Sequence, residues 1–368
     1  MADIAVRGNS TRGDAGIIAA RSLYLDALRA VALTRVVLYH VTDSWQLTAF
    51  TSLPLMFFVA GTLFAASVDR RPAPSVVKDR FRRILVPYWG YAVAMVALWG
   101  ALGLLGELTP AQWVGLALPV LSVDGVAGPD PSGAVHVTWF ALWYIQMHLV
   151  LALLGGPLRR AQQRWRRGYW VALAVLFVLA APVAPGLGIA VFYTAAWSLG
   201  YLHYDGAVEA WLRPRWRWLC AVLGPVGAVA FFAFHQRSIA VAAVGLVLLG
   251  VFWLGLALGL QPRIEPWLQG RRPRAVTTWF SRRSLTIYLW HGAALFAAVE
   301  LAPPGGWGGI LVVTVALVLV SVVAFGWLED VAARRPPTLW VRPAPAQVLT
   351  NGVIDLRQGD HSTADPAG

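Results

Sequence analysis

The stretch LYLDALRAVALTRVVLYHV, residues 23–41, is the first long apolar segment of the chain, and it contains ionisable side chains. Arg29 and His40 lie inside it, where ionisable groups are costly and usually functional if the segment crosses a membrane. At ~100° per residue, the 11 positions from Arg29 to His40 complete about three helical turns, so both side chains face the same way. They are roughly 16 Å apart along the axis. One helix face therefore carries a cation at one depth and an imidazole at another.

The composition is that of an integral membrane protein. The 368 residues are 58% hydrophobic and 13% charged, with a mean hydropathy of +0.61, which leaves little polar surface for a soluble globule. The net charge of +12 comes from short basic clusters between apolar runs, so we expect no nucleic-acid partner. Cys220 is the single cysteine, which excludes an internal disulfide and a multi-cysteine metal site. No HExxH, GxSxG or Walker sequence occurs, and we expect no metal.

Apolar windows of roughly 20 residues predict an all-α, polytopic fold with about ten transmembrane helices. The fifth and sixth windows are separated only by a Pro-Gly turn at 185–186, so one broken helix is the alternative interpretation. The windows lie near residues 23–42, 50–68, 84–106, 137–156, 169–185, 187–204, 217–235, 239–261, 279–299 and 307–328.

The basic residues predict the orientation of the helices. With ten spans, all 30 Lys and Arg except Arg29, Arg35 and Arg237 fall on the side of the N-terminus. Because Lys and Arg are enriched in cytoplasmic loops, this places both chain ends in the cytoplasm. We expect a disordered cytoplasmic N-terminus (1–22), a membrane domain (23–330) and a disordered, Pro-rich cytoplasmic tail (331–368).

His40 is the first candidate for catalysis. In the predicted orientation it lies in the outer half of the membrane and Arg29 in the inner half. A neutral imidazole there can remove a proton from a hydroxyl, and Asp43, about one turn further on, can orient the ring. The alternative is that Arg29 and His40 only form hydrogen bonds with neighbouring helices and have no part in catalysis. We assign no role to Arg35, which faces another direction.

Arg80 and Arg83 form a second candidate site at the cytoplasmic start of the third predicted span. Their i, i+3 spacing places two guanidinium groups on one side of a helix, an arrangement that suits phosphate groups. Spacing alone favours the simpler interpretation that they are basic residues of the kind that commonly flank a span.

Ser284, Tyr288 and His291 form a polar stripe in the ninth predicted span. Their i, i+4, i+7 spacing puts them on one helix face, which in lipid must meet protein or a cavity. They line either a helix–helix contact or a wall of the His40 site. Trp139, in the fourth span, is assigned to the same wall, although an aromatic belt at the membrane surface would also explain it.

The candidate residues lie in longer motifs. These are RSLYLDALRA at 21–30, YHV at 39–41, PLMFFVAG at 54–61, Arg80-x-x-Arg83 running into RILVPYW at 83–89, WFALWY at 139–144, SLTIYLWH at 284–291, and Glu329. Together these motifs resemble the membrane-bound acyltransferase 3 family. The resemblance covers residues 21 to about 330 and departs from the family pattern at Arg35 and at Ala60, where many relatives have Ser.

The resemblance implies an O-acyltransferase that takes an acyl group, acetyl being the first choice, from cytoplasmic acyl-CoA. The acceptor would be a hydroxyl of a glycan, glycolipid or glycosylated natural product. Arg80 and Arg83 would hold the CoA phosphates, and Arg29 would hold the donor further along or neutralise charge near the thioester. His40 would act as base on the acceptor or briefly carry the acyl group.

A transporter or flippase of a polar lipid or glycan is the alternative function, since buried Arg and His side chains also bind anionic cargo. We expect the chain to lie in the cell membrane, in contact with lipid. The predominance of Arg over Lys indicates a bacterial source and hence the plasma membrane. The acceptor, the acyl chain length and the oligomeric state are not encoded in any pattern that we can identify.

Overall fold

The computed structural model describes residues 23–121, 142–212, 214–301 and 306–338, and these residues form helices without strands. Ten helices are long, and three short ones (α4, α8 and α13) lie between or after them. Three 3-10 segments, Trp45–Ala49, Leu105–Glu107 and Pro119–Leu121, complete the described elements. The helices are α1 (Leu23–Thr42), α2 (Ser52–Val68), α3 (Ala73–Ala101), α4 (Pro110–Ala117), α5 (Trp143–Trp165), α6 (Arg167–Val183), α7 (Pro185–Tyr204), α8 (Ala207–Leu212), α9 (Trp216–Phe234), α10 (Ile239–Leu268), α11 (Arg271–Leu301), α12 (Trp307–Phe325) and α13 (Trp327–Ala332).

The all-helical membrane fold predicted from the sequence is confirmed. A long helix overlaps each of the ten predicted windows. Six helical segments within the described ranges are long and apolar enough to cross a membrane, whereas the count of ten spans and the cytoplasmic ends stay predictions. The six are Trp45–Val68, Ala73–Ala101, Trp216–Phe234, Val241–Leu268, Arg271–Leu301 and Trp307–Phe325.

The fifth and sixth windows are two helices rather than one. Ala184 leaves the helical conformation with φ −144° and ψ 77°, and Pro185 starts α7. Proline suits the first turn of a helix because the N–H that it lacks would have no helical partner there. α6 and α7 then pack against each other.

Two boundaries differ from the sequence prediction. α3 begins at Ala73 rather than near 84, with Pro74 in its first turn, so its basic residues lie inside the helix and not at its start. The predicted tail also begins later than 331, because α13 runs to Ala332 and Thr338 donates hydrogen bonds to Asp330. Residues 1–22 and 339–368 lie outside the described ranges.

Gly61 of α2 and Gly200 of α7 allow these two helices to pack backbone against backbone. A Cβ atom on Gly61 would overlap the carbonyl of Trp197, and one on Gly200 would overlap the carbonyl of Phe58. Small residues of this kind favour helix association in membranes, where packing has to replace the hydrophobic effect. The crossing fixes Trp197 beside α2, in the centre of the molecule.

The main core lies where α1, α2, α3, α5, α7, α11 and α12 meet, and aromatic rings such as Phe57, Trp99 and Tyr201 fill it. α9 and α12 contribute less and present large apolar side chains to the outside, including Val229 (63% exposed) and Val320 (63% exposed). An apolar exterior of this extent would be unfavourable in water and is the expected surface of a protein in lipid.

Gly61→Ala and Gly200→Ala should each destabilise the protein by roughly 1–3 kcal/mol, because the added methyl group meets backbone that cannot rotate away. Gly308→Ala is the matched control, since a Cβ there has no atom within 4 Å. The measurement is the thermal unfolding midpoint in one detergent. Equal midpoints for all three variants would contradict the close crossing of α2 and α7.

Candidate active site

Two polar contacts join the first half of α1 to α11. Ser281 donates a hydrogen bond of 2.6 Å from its Oγ to Asp26. Three residues further on both helices, Arg29 donates a hydrogen bond of 3.0 Å from Nη2 to the Oγ of Ser284. Asp26 also lies 3.8 Å from Nη1 of Arg29. The face of α1 that carries Arg29 therefore packs on the polar stripe of α11.

At the outer end of the same face, His40 stacks on His291. Their ring centroids are 5.3 Å apart and the rings are inclined by 30°. Nδ1 of His291 is hydrogen-bonded to the backbone carbonyl of Tyr288, and because a carbonyl only accepts, Nδ1 carries the proton. Nε2 therefore has the lone pair. This atom is buried and has no hydrogen-bond partner among the described residues, so a proton acceptor lies beside the ring of His40.

A continuous series of side-chain contacts leads from His291 across the protein to the guanidinium group of Arg80. Successive ring centroids are 5.1–5.8 Å apart, and the last step is the cation–π contact of Arg80 at 5.7 Å. The series passes, in order, through Tyr288, Tyr144, His148 and Trp197. The predicted base and the predicted donor-binding cation are thus linked through contacting polar and aromatic side chains.

Arg80 lies in the inner part of this series, partly buried against aromatic rings. Its guanidinium carbon is 5.1 Å from the ring centroid of Phe64, and Nη2 is 3.4 Å from the carbonyl oxygen of Ala60. Arg80 and Arg29 both interact electrostatically with His148. Two cations from different helices therefore act on one region beside the imidazole, which favours an anionic or strongly polar ligand.

Arg83 has different surroundings from Arg80, although both were predicted to lie on one side of the helix. It is exposed and within electrostatic range of Asp79, Arg71 and Arg334. Asp79 is held by Arg71 at 2.6 Å. The structure thus separates the predicted pair into a deep guanidinium and an exposed one.

Arg35, to which the sequence assigned no role, holds the outer loop next to His40. Its Nε donates a hydrogen bond of 2.7 Å to the carbonyl of Leu47 in the 3-10 segment, and its guanidinium lies 4.9 Å from the ring centroid of Tyr39. Asp43 is exposed in the turn after α1, with a φ of 46°. Its predicted role in orienting His40 stays a prediction. Trp139 lies outside the described residues.

A buried polar network in the middle of α11 was missed by the sequence reasoning. Glu329 of α13 accepts hydrogen bonds from the backbone N–H (2.8 Å) and the hydroxyl (2.6 Å) of Thr286. Next to it, Arg283 and Asp330 form an ion pair of 2.8 Å in which each side chain is 1% exposed. Burial raises the pKa of Glu329 to about 7, an effect that the bonds from Thr286 and the charge of Arg283 partly oppose. The one residue of this network that the sequence analysis had named is Glu329, which is part of the family resemblance.

The raised pKa of Glu329 predicts a dependence of stability on pH. Because this pKa, about 7, exceeds the ~4.3 of an unfolded Glu, the protonated carboxyl favours the fold, and its contribution is lost as the pH rises from about 4.5 to about 7. Glu329→Gln should remove this contribution. The measurement is the thermal unfolding midpoint of both proteins between pH 4.5 and 8. Parallel curves for wild type and variant would contradict the assignment, since every other titrating group is common to both.

Comparison with known proteins identifies the family. A family model described as an acyltransferase domain, acyltransferase 3, matches residues 22–326, which include α1 to α12. No curated protein and no solved structure matches the chain. The match includes His40, Arg80 and His291 and covers most of the chain, so the chain belongs to the acyltransferase 3 family of membrane acyltransferases.

Proposed function

We propose that this membrane acyltransferase is an O-acyltransferase of the cell membrane. It moves an acyl group, acetyl being the first choice, from cytoplasmic acyl-CoA to a hydroxyl of a glycan, glycolipid or glycosylated natural product. The observation that carries the proposal is the contact series from Arg80 to the His40–His291 pair. It connects an inner region that carries a guanidinium cation with an outer region that carries two imidazole rings, which can accept protons. Transfer between a phosphate-bearing donor and a hydroxyl acceptor requires both.

The inner region supplies groups for the donor. Acyl-CoA carries several phosphates, and planar guanidinium groups bind phosphate oxygens through paired N–H donors. In the proposed mechanism the exposed Arg83 meets the phosphates first, and the deeper Arg80 holds the donor along the series. Arg29 is fixed by Ser284 at 3.0 Å, so its remaining N–H groups can hold the donor further along, at a distance from the carbonyl that reacts beside His40.

The outer region supplies the base. His40 accepts the proton of the acceptor hydroxyl while the hydroxyl oxygen forms a bond to the acyl carbon. The carbon–sulfur bond then breaks, the CoA thiolate leaves, and the proton held by His40 passes to the thiolate, which restores the neutral imidazole. Tyr288, His291 and the outer segment with Trp139 form the acceptor wall in this proposal, and Asp43 stabilises the imidazolium. The fixed Nδ1 proton of His291 keeps its Nε2 available to accept a proton or a hydroxyl hydrogen bond.

His40→Ala should lower acyl transfer by about 100-fold or more, because general base catalysis typically contributes 10²–10⁴-fold. The measurement is acyl-CoA-dependent labelling of membrane extracts with radiolabelled acetyl-CoA. His235→Ala is the matched control, since His235 also lies at the outer end but stacks on Trp45, at 4.3 Å, outside the contact series. Retained activity in His40→Ala at equal expression would refute the role of His40. Absence of transfer from any acyl-CoA by wild type would refute the proposed donor.

Arg80→Lys should raise the KM for acyl-CoA by roughly tenfold or more. A lysine keeps the charge but not the planar fork, and a hydrogen bond to a charged group contributes ~1.5–3 kcal/mol. Arg164→Lys, an exposed residue near the end of α5, is the control. The measurement is the dependence of the initial rate on acyl-CoA concentration in purified protein. An unchanged KM for acyl-CoA with a raised KM for the acceptor would place Arg80 on the acceptor side instead.

A further inference from the structure

A groove of about 960 Å³ lies outside the contact series, between the end of α2, the first turns of α3 and the second half of α5. It is at the same end of the helices as Arg83, which the basic residues predict to be cytoplasmic. Its lining combines basic side chains with apolar ones. Neither the family match nor the proposed reaction assigns a ligand to it.

The basic side chains give the groove a net positive charge. Lys78, Arg159 and Arg160 line it together with one carboxylate, Asp69. Lys78 and Arg160 are exposed, whereas Arg159 is only 6% exposed. Since cations outnumber carboxylates in the lining, the groove favours an anionic ligand.

Arg159 forms a rigid, polar part of the groove lining. Its Nη2 bonds to Asp69 at 3.2 Å and to Asp205 at 3.1 Å, which joins the ends of α2, α5 and α7. Its Nη1 is buried and has no hydrogen-bond partner within the described part of the chain. A buried donor without a partner is unfavourable, and an acceptor oxygen of a ligand would satisfy it.

The apolar part of the groove continues onto the outer surface of the protein. Phe81 and Leu153 line it. Leu153 is 47% exposed, as is the adjacent Leu154 at 48%, so this wall extends along the side of α5 that faces outward. In a membrane that surface meets acyl chains. A ligand with an anionic group at one end and a hydrocarbon chain at the other matches both halves of the lining.

The groove is separated from the inner region of the contact series. Phe64 lies against the guanidinium of Arg80, at 5.1 Å, and the same ring packs on Gly155 of α5, where a Cβ would be 2.6 Å from its Cζ. The ring of Phe64 therefore fills the space between Arg80 and α5. A ligand in the groove is therefore separated from Arg80 by this ring.

We propose that this groove binds an anionic phospholipid of the surrounding membrane. The phosphate lies against Lys78 and Arg160 and offers an oxygen to Arg159, and one acyl chain follows Phe81 and Leu153. Basic pockets between helices on the cytoplasmic side commonly bind acidic headgroups. The proposal is independent of the proposed acyl transfer, and its test involves no turnover.

The experiment is a native mass spectrometry titration of the purified full chain with palmitoyl-oleoyl phosphatidylglycerol and with the corresponding phosphatidylcholine. Lys78→Gln/Arg160→Gln should weaken phosphatidylglycerol binding about 25-fold, because each basic residue near the headgroups contributes about fivefold. Arg164→Gln/Arg167→Gln removes the same charge from exposed positions outside the groove and should leave binding unchanged. If the first double variant is not monodisperse, Lys78→Gln alone should show the fivefold loss.

Three results would overturn the proposal. Equal binding of the two lipids to wild type would show that charge does not select the ligand. Equal losses of phosphatidylglycerol binding in both double variants would show that the total surface charge, and not the groove, determines the affinity. Displacement of phosphatidylglycerol by acetyl-CoA would make the groove part of the donor site.

Discussion

The sequence predicts that α1 spans the membrane, and an ionisable side chain in such a segment needs a polar partner within the protein. Asp26, Arg29 and His40 share one face, and that face packs on the hydroxyls and the imidazole of α11. The alternative, charges facing acyl chains, costs several kcal/mol per residue. The pairing of α1 with α11 therefore follows from the charges of α1, and it brings the two predicted functional regions onto one helix pair.

The remaining helices complete the site through close packing rather than through charge. Gly61 and Gly200 bring α2 and α7 into backbone contact, which places Trp197 against Phe64. Arg80 then lies over both rings. A cation over aromatic faces keeps much of its stabilisation when water is excluded. The apolar core thus holds a guanidinium against aromatic rings, where it is partly shielded from competing anions.

The part of the site that could be predicted from sequence is the part encoded by helical periodicity. The shared face of Arg29 and His40, and the stripe from Ser284 to His291, follow from spacing within single helices. The depth of Arg80 could not be predicted, because the basic residues excluded the first ~3 turns of α3 from the apolar window. The pairing of Glu329 with Thr286 was also missed, since no local pattern indicates which distant residue a carboxylate will contact.

The two halves of α11 are positioned by different means, and this bears on how the site can work. In the outer half, the Nδ1 proton of His291 is fixed by the carbonyl of Tyr288 in the same helix, so the acceptor nitrogen is oriented without help from another element. In the inner half, Thr286 and Arg283 are held by Glu329 and Asp330 of α13. A shift of α13 would therefore alter the Ser284–Arg29 contact before it altered the His40–His291 pair. His291 is thus set by local geometry, whereas the Arg29–Ser284 contact depends on a segment that follows the last long helix.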